Sequence, residues 1–241
     1  MLVNAIDTKY GNIEILYEDD RVIAFIKPPF LLSQRSEDGE DSVLEYLSAY
    51  VGEEIHPVHR LDRTTGGVMI AAKTSAAASA LSQIIADGGM HKEYLATVHG
   101  TAPGGTLEDM LFFDRRKNKS FVVKDTGSRR GVKKALLEYE PVGCAVCGAG
   151  DITLVRVRLM TGRTHQIRVQ LAHAGHPLLG DGKYGGRDNK AGCVLWSCRI
   201  SFEASMLKKR GLRALADALK ADEELLSAAP CGYPWELFAN V

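Results

Sequence analysis

An α+β fold on a mainly antiparallel sheet is what the sequence predicts, and three observations predict it. Short alternating or β-branched apolar runs recur along most of the chain. Stretches with helical periodicity lie between some of them, but without the strict strand-helix alternation of a parallel sheet. No period of 20 to 50 residues repeats, which excludes a solenoid or propeller. At 241 residues, one main domain is expected over residues 1–205, with residues 206–241 as a helical appendage packed on it.

The elements follow in order. Ile13 to Tyr17 and Arg21 to Ile26 are apolar runs separated by Glu18, Asp19 and Asp20, a hairpin pattern. Lys27 and the Pro28-Pro29 pair close it, because proline has no N–H for a ladder. Ser42 followed three residues on by Glu45 is a capping box opening a helix to about Tyr50, with Val43, Leu44 and Leu47 inward. Val68 to Ala72 predicts a strand. Thr74 or Ser75 then caps a helix through about Ala86, with Ala77, Leu81, Ile84 and Ile85 on its apolar face. Lys92 to His99 alternates, with Tyr94, Ala96 and Val98 on one side. Further strands are expected at Ser120 to Lys124, Lys133 to Pro141, Ile152 to Met160 and Cys193 to Phe202. A helix is expected over His165 to Ala174, and an amphipathic one over Leu207 to Leu226, packing through Leu212, Leu215 and Leu219.

Composition excludes several functions. Hydrophobic residues at 45% and charged residues at 25% describe an ordinary globular chain. No apolar run approaches the ~20 residues of a membrane span, and the N-terminus lacks a basic-then-apolar signal layout. A cytoplasmic protein with no membrane partner is expected. Five cysteines, an odd number, argue against a disulfide framework. The lone Cys144-x-x-Cys147 has no second pair, and His165, His173 and His176 have no acid or thiol at matching spacing, so no metal is expected. Lys plus Arg and Asp plus Glu both total 30, but residues 115–134 hold nine basic side chains against the single acid Asp125. That segment is either a solvated loop or a phosphate-binding surface.

Two stretches concentrate the chemistry. HRLDRTTGGV, residues 59–68, sets Asp62 between Arg60 and Arg63. Flanking guanidinium groups favour the ionised carboxylate, which makes Asp62 a candidate nucleophile or base. The structural alternative is an Asx-type turn ahead of a strand. TGRTHQIRVQLAHAGHPLLGDGKYG, residues 161–185, carries Arg163, His165 and Arg168. In a helix begun at about Thr164, Thr164 and Arg168 share a face. Arg168 there is either a surface cation or a bidentate partner for a distant carboxylate.

HRLDRTTGG, KEYLATVHG and the second stretch, in that order, closely resemble the three signature segments of the RluA family of RNA pseudouridine synthases, and ILYEDDRVIAFIKP resembles the family's opening hairpin. The resemblance covers roughly Ile13 to Phe202. It implies a bent mixed, mainly antiparallel sheet with flanking helices and a central RNA-binding cleft. It implies isomerisation of uridine to pseudouridine in structured ribosomal or transfer RNA, with no cofactor, by a monomer that has no DNA partner. Asp62 falls on the catalytic aspartate, Tyr94 on the active-site tyrosine that stacks on the base, and Arg168 on the arginine that pairs with the carboxylate. Arg60 falls on the position that helps displace the uridine. Arg163 and His165 lie beside the site as RNA-binding candidates, and Arg115, Arg116 and Lys117 are candidates from the basic segment. The chain departs from the family pattern at Phe30, where glycine is common, at Gln170, where histidine is common, and at Trp196-Ser197, where a His-Ala pair is frequent. No S4-type domain of the kind many relatives carry is expected ahead of the first strand. The chemistry suits these residue types: an ionised carboxylate attacks the sugar or base or assists a glycal route, and a base inside a helix is reached only by flipping it out. The rival readings are a non-catalytic RNA-binding module on the same scaffold and a nucleoside hydrolase, which would call for two carboxylates.

Overall fold

A computed structural model describes residues 5–36, 39–124, 130–186, 192–219, 224–227, 229–230 and 232–238. In chain order the strands and helices are β1 (Ala5–Ile6), β2 (Ile13–Glu18), β3 (Val22–Lys27), α1 (Val43–Val51), β4 (His56–Pro57), β5 (Gly66–Ala72), α2 (Ser75–Ala86) and β6 (Met90–His99). They continue with β7 (Gly105–Asp114), β8 (Lys119–Val122), β9 (Val132–Cys147), β10 (Gly150–Leu159), α3 (Gln166–His173), β11 (Leu195–Phe202), α4 (Ala204–Lys209), α5 (Arg213–Ala218) and β12 (Glu224–Leu226). A 3-10 turn spans Trp235–Phe238. Sheet with flanking helices and antiparallel pairing is the α+β class that the sequence predicts.

The chain forms two compact units, residues 1–92 with 197–228, and residues 93–196 with 229–241. In the first unit the strand order is β1-β2-β3-β5-β11, with β4 on β5 and β12 on β11. The β2–β3 hairpin forms because Asp19 Oδ1 accepts the N–H groups of Arg21 and Val22, both at 2.7 Å, which turns the chain between two apolar runs. The capping box closes α1: Ser42 N–H donates to Glu45 Oε2 at 2.9 Å. Thr74 caps α2 by accepting the Ala77 N–H at 3.2 Å. The apolar side chains of β3, β5 and α2 bury against Ile200, Phe202, Leu207, Leu215 and Leu225 as one core.

In the second unit the order is β6-β10-β9-β7-β8. Tyr94, Ala96 and Val98 face inward along β6, as its alternation predicts. Helix α3 packs Val169 on Leu111 and Ala135. Gln170, where the family pattern commonly has histidine, is fully buried and ties α3 to β7, donating to Asp109 Oδ2 at 2.8 Å and Leu107 O at 3.1 Å. Ser197, another departure from that pattern, lies in the first unit and ties β11 to β5 through its bond to Val68 O at 3.1 Å.

Four features differ from the sequence expectation. Strand β7 is absent from it, because Glu108 and Asp109 interrupt the apolar pattern. In the fold Glu108 pairs with Lys134 on β9 at 2.9 Å and Asp109 accepts from Gln170. The helix expected over Leu207 to Leu226 is α4, α5 and β12, broken at Gly211, whose φ is 80°. Helix α3 begins at Gln166 and not at Thr164, because His165 adopts a left-handed backbone at φ 54°. Thr164 therefore shares no helical face with Arg168. Strand β5 begins at Gly66 and not at Val68, so Gly66 and Gly67 lie within the strand. A Cβ on Gly67 would stand 2.1 Å from Ser197 O, so the absent side chain admits the neighbouring backbone.

Candidate active site

Asp62 sits at the head of a turn between β4 and β5, closed by the Thr65 N–H donating to Asp62 O at 3.0 Å. Tertiary bonds hold the chain on both sides of it. Before it, Ser33 Oγ donates to Leu61 O at 2.8 Å and accepts the Leu61 N–H at 3.1 Å. After it, Arg63 O accepts the Phe30 N–H at 2.7 Å. The turn is closed by the Asp62 main-chain carbonyl, not by the carboxylate of an Asx-type turn, and it holds the backbone that carries this carboxylate.

Lys27 lies in the ILYEDDRVIAFIKP stretch, but nothing in that stretch marks it as part of this region. Its side chain is 0% exposed, and its ammonium donates to Leu31 O at 2.8 Å, to Pro28 O at 2.9 Å and at longer range to Arg63 O at 3.4 Å. Burial pushes its pKa down to about 7, against the opposing pull of the Asp62 charge. Lys27 therefore joins the segment after β3 to the Asp62 turn. Of the two arginines that flank Asp62, Arg63 forms an ion pair with Glu40 at 2.9 Å, and Arg60 is exposed.

His59 stands on the other side of Leu61. Its Nε2 accepts the Ile70 N–H at 3.1 Å, and burial first, then the Lys92 charge, holds its pKa well below the usual range. The neutral ring then carries its proton on Nδ1. That atom and the hydroxyls of Thr64 and Thr65 are buried without a hydrogen-bond partner among the described residues. Polar groups left in this condition are expected where a ligand or water completes them.

In the second unit, Tyr94 is buried on β6. Arg168 projects from α3 into a bidentate pair with Asp181, Nε to Oδ2 at 2.6 Å and Nη2 to Oδ1 at 2.8 Å. The side chains are only 8% and 1% exposed. Those two bonds use two of the five guanidinium N–H donors and fix the plane of the group. Tyr184 lies against it, its ring centroid 5.3 Å from the guanidinium carbon. The Tyr184 hydroxyl accepts the Ser120 N–H at 2.8 Å and bonds His165 Nδ1 at 2.9 Å. Asp181 and Tyr184 belong to the GDGKYG run, whose spacing shows no helical or strand period to mark them.

The remaining candidate residues divide. His165 joins the Arg168–Tyr184 cluster. Arg163 instead donates its Nε to Lys134 O at 2.9 Å, a bond that ties the approach to α3 onto β9. Arg115, Arg116 and Lys117 form the exposed turn between β7 and β8, where Asp114 Oδ1 accepts the Arg116 and Lys117 N–H groups at 3.0 and 3.2 Å. Lys119 bends back over the Tyr184 ring at 5.0 Å. Asp125 and Arg129 of the basic segment lie outside the described residues.

The family model described as RNA pseudouridylate synthase matches residues 21–173. An uncharacterized RNA pseudouridine synthase of Bacillus subtilis is 34% identical over 197 residues, covering 79% of this chain and 67% of its own. The ribosomal large subunit pseudouridine synthase D of Borreliella burgdorferi is 33% identical over 237 residues, covering 88% of this chain and 70% of its own. A tRNA pseudouridine synthase C of Vibrio parahaemolyticus is 32% identical over 190 residues, covering 74% and 76%. Among solved structures, human RNA pseudouridylate synthase domain containing 1 superposes with a TM-score of 0.72 at 18% identity, over 96% of this chain and 88% of that one. At that identity the superposition speaks for the fold.

Proposed function

The chain belongs to the RluA family of RNA pseudouridine synthases, and from that premise we propose that it isomerises uridine in ribosomal or transfer RNA, with Asp62, Tyr94 and Arg168 as its catalytic residues. The observation that carries this reading is that the family match over residues 21–173 contains all three. The two named relatives act, by their names, on the large ribosomal subunit and on tRNA, which supports structured RNA as the substrate class. A cytoplasmic monomer is the corresponding expectation.

The reaction breaks the N1–C1′ bond, turns the uracil, forms a C5–C1′ bond and releases the C5 proton to the N1 position or solvent, so no group is gained or lost. Asp62 supplies the ionised carboxylate. Its backbone, held at Leu61 and Arg63, is the preorganisation such a group needs. Tyr94 supplies an aromatic face for the flipped base and takes part in proton removal. Arg168, its guanidinium fixed by Asp181, is the cation that the family resemblance assigns to the catalytic carboxylate. Arg60 is the exposed cation suited to displacing the uridine. His165, Arg163, Arg115, Arg116 and Lys117 line the chain's approach to RNA.

Asp62→Asn and Asp62→Ala are expected to form no pseudouridine in RNA from cells lacking the gene, assayed by carbodiimide adducts, while unfolding cooperatively like the parent. Turnover at the parental rate by either variant would sink the assignment. Mapping pseudouridine across all RNA of the source cell, with and without the gene, identifies the target.

A further inference from the structure

Phe30 combines two properties that folding alone does not explain. Three non-glycine residues among those described have a left-handed backbone, Phe30 at φ 69°, Asn118 and His165. Asparagine and histidine tolerate that region better than most residues, but for a bulky side chain such as phenylalanine it is strained. Burial of the ring would be the usual compensation, yet Phe30 is 47% exposed while its neighbour Leu31 is fully buried.

The surroundings over-determine the strained backbone. Pro28 and Pro29 fix the chain ahead of it. The Phe30 N–H donates to Arg63 O at 2.7 Å, and the Lys27 ammonium grips Pro28 O and Leu31 O on either side, at 2.9 and 2.8 Å. These bonds tether the aromatic ring to the residue that follows Asp62, in a segment whose Arg60 and Arg63 are also exposed. An exposed aromatic ring tied through its backbone to a turn that carries exposed arginines supplies the stacking face and positive charge that hold unstacked bases.

We propose that Phe30 stacks on the nucleobase next to the target uridine, covering the base face that is left bare when the uridine leaves its helix. This rests on the pseudouridine synthase reading above and adds an RNA-binding residue to it. Extraction unstacks the neighbours of the flipped base, and an aromatic ring placed against one of them lowers that cost. Glycine at this position would have the backbone freedom without the ring, so the phenylalanine is a feature of RNA binding and not of folding.

Phe30→Gly, Phe30→Leu and Phe30→Trp test this against total RNA from cells lacking the gene, with pseudouridine read by carbodiimide adducts and folding by thermal unfolding. Glycine relieves the backbone, so Phe30→Gly should unfold at the parental temperature or above it. Its apparent KM for the RNA should nonetheless rise about tenfold or more, with a smaller change in kcat. Leucine, apolar but without an aromatic face, should resemble glycine, and tryptophan should keep the parental KM. A parental KM in both the Gly and Leu variants overturns the inference while leaving the function intact. A parent protein that forms no pseudouridine in that RNA overturns the function reading and the inference with it.

Discussion

Lys27 shows how a single buried charge couples the fold to the Asp62 carboxylate. An unfolded lysine titrates near 10.5, whereas the buried one titrates at about 7. Between those values the unfolded chain holds a proton that the folded chain has released, so stability rises with pH across that window and is flat, with the burial cost fully present, below it. Lys92, lowered by burial to about 8, adds to the same rise only above that pH. Replacing Lys27 with Met should therefore remove the rise between about pH 7 and 8 and leave above about 8 only the shallower part that Lys92 contributes. The Asp62 charge holds the Lys27 pKa up, so Asp62→Ala should move the onset to lower pH. Urea unfolding in small pH steps checks both, and a parental slope across the lower part of the window in Lys27→Met would show that the amine titrates normally. Asp62 and Arg168 are legible in the sequence because each stands within a dense run of chemical side chains. Lys27 and Asp181 are not, since a lysine before Pro28-Pro29 reads as a solvated strand end, and nothing in a sequence marks a charge as buried.

At the level of elements, sequence reading follows apolar periodicity well and charged strands poorly. The β2–β3 hairpin, α1 and α2 fall within a residue or two of their expected bounds, since each has an apolar period and its own turn or cap. Strand β7 is hidden by two acids whose partners, Lys134 and Gln170, come from distant segments. The turn it makes with β8 carries Arg115, Arg116 and Lys117. The turn bonds to Asp114 come from backbone N–H groups of Arg116 and Lys117, not from side chains. Charge reversal of all three to Glu should thus leave stability within about 0.5 kcal/mol of the parent. RNA affinity should fall, and its dependence on salt should flatten by roughly one in log-log slope for each phosphate that is no longer neutralised. Filter binding between about 50 and 200 mM salt, a range over which strongly electrostatic binders weaken by about three to five decades, reads the slope. An unaltered slope would mark the turn as a merely solvated surface.

Across the whole molecule, the unit that carries Asp62 is assembled from segments far apart in sequence. The amphipathic stretch after Phe202 reads from its sequence as one helix lying on the surface. In the fold, Leu207, Leu212, Leu215, Leu219 and Leu225 enter the same core as Val22, Val68 and Leu81. Gly211 breaks the stretch so that α4, α5 and then β12, paired antiparallel with β11, can each present an apolar face. Periodicity identifies Leu212, Leu215 and Leu219 as inward-facing, but it cannot show which strands they meet, nor that Leu207 and Leu225 join them, because that is decided by non-local pairing. Leu215→Ala should cost about 2–5 kcal/mol of stability, seen as a lower urea midpoint with the slope unchanged. Pseudouridine formation at a temperature below both transitions should persist, since Leu215 lies in the core and not in the Asp62 turn. Ending the chain after Phe202 is a more severe test of the same packing. It strips the covering from Ile200, Phe202 and the α2 face, and removes the pairing of Arg199, Ile200 and Ser201 with β12. The shortened chain should lose its cooperative transition, and an intact one would show that this segment only covers a core able to hold Asp62 without it.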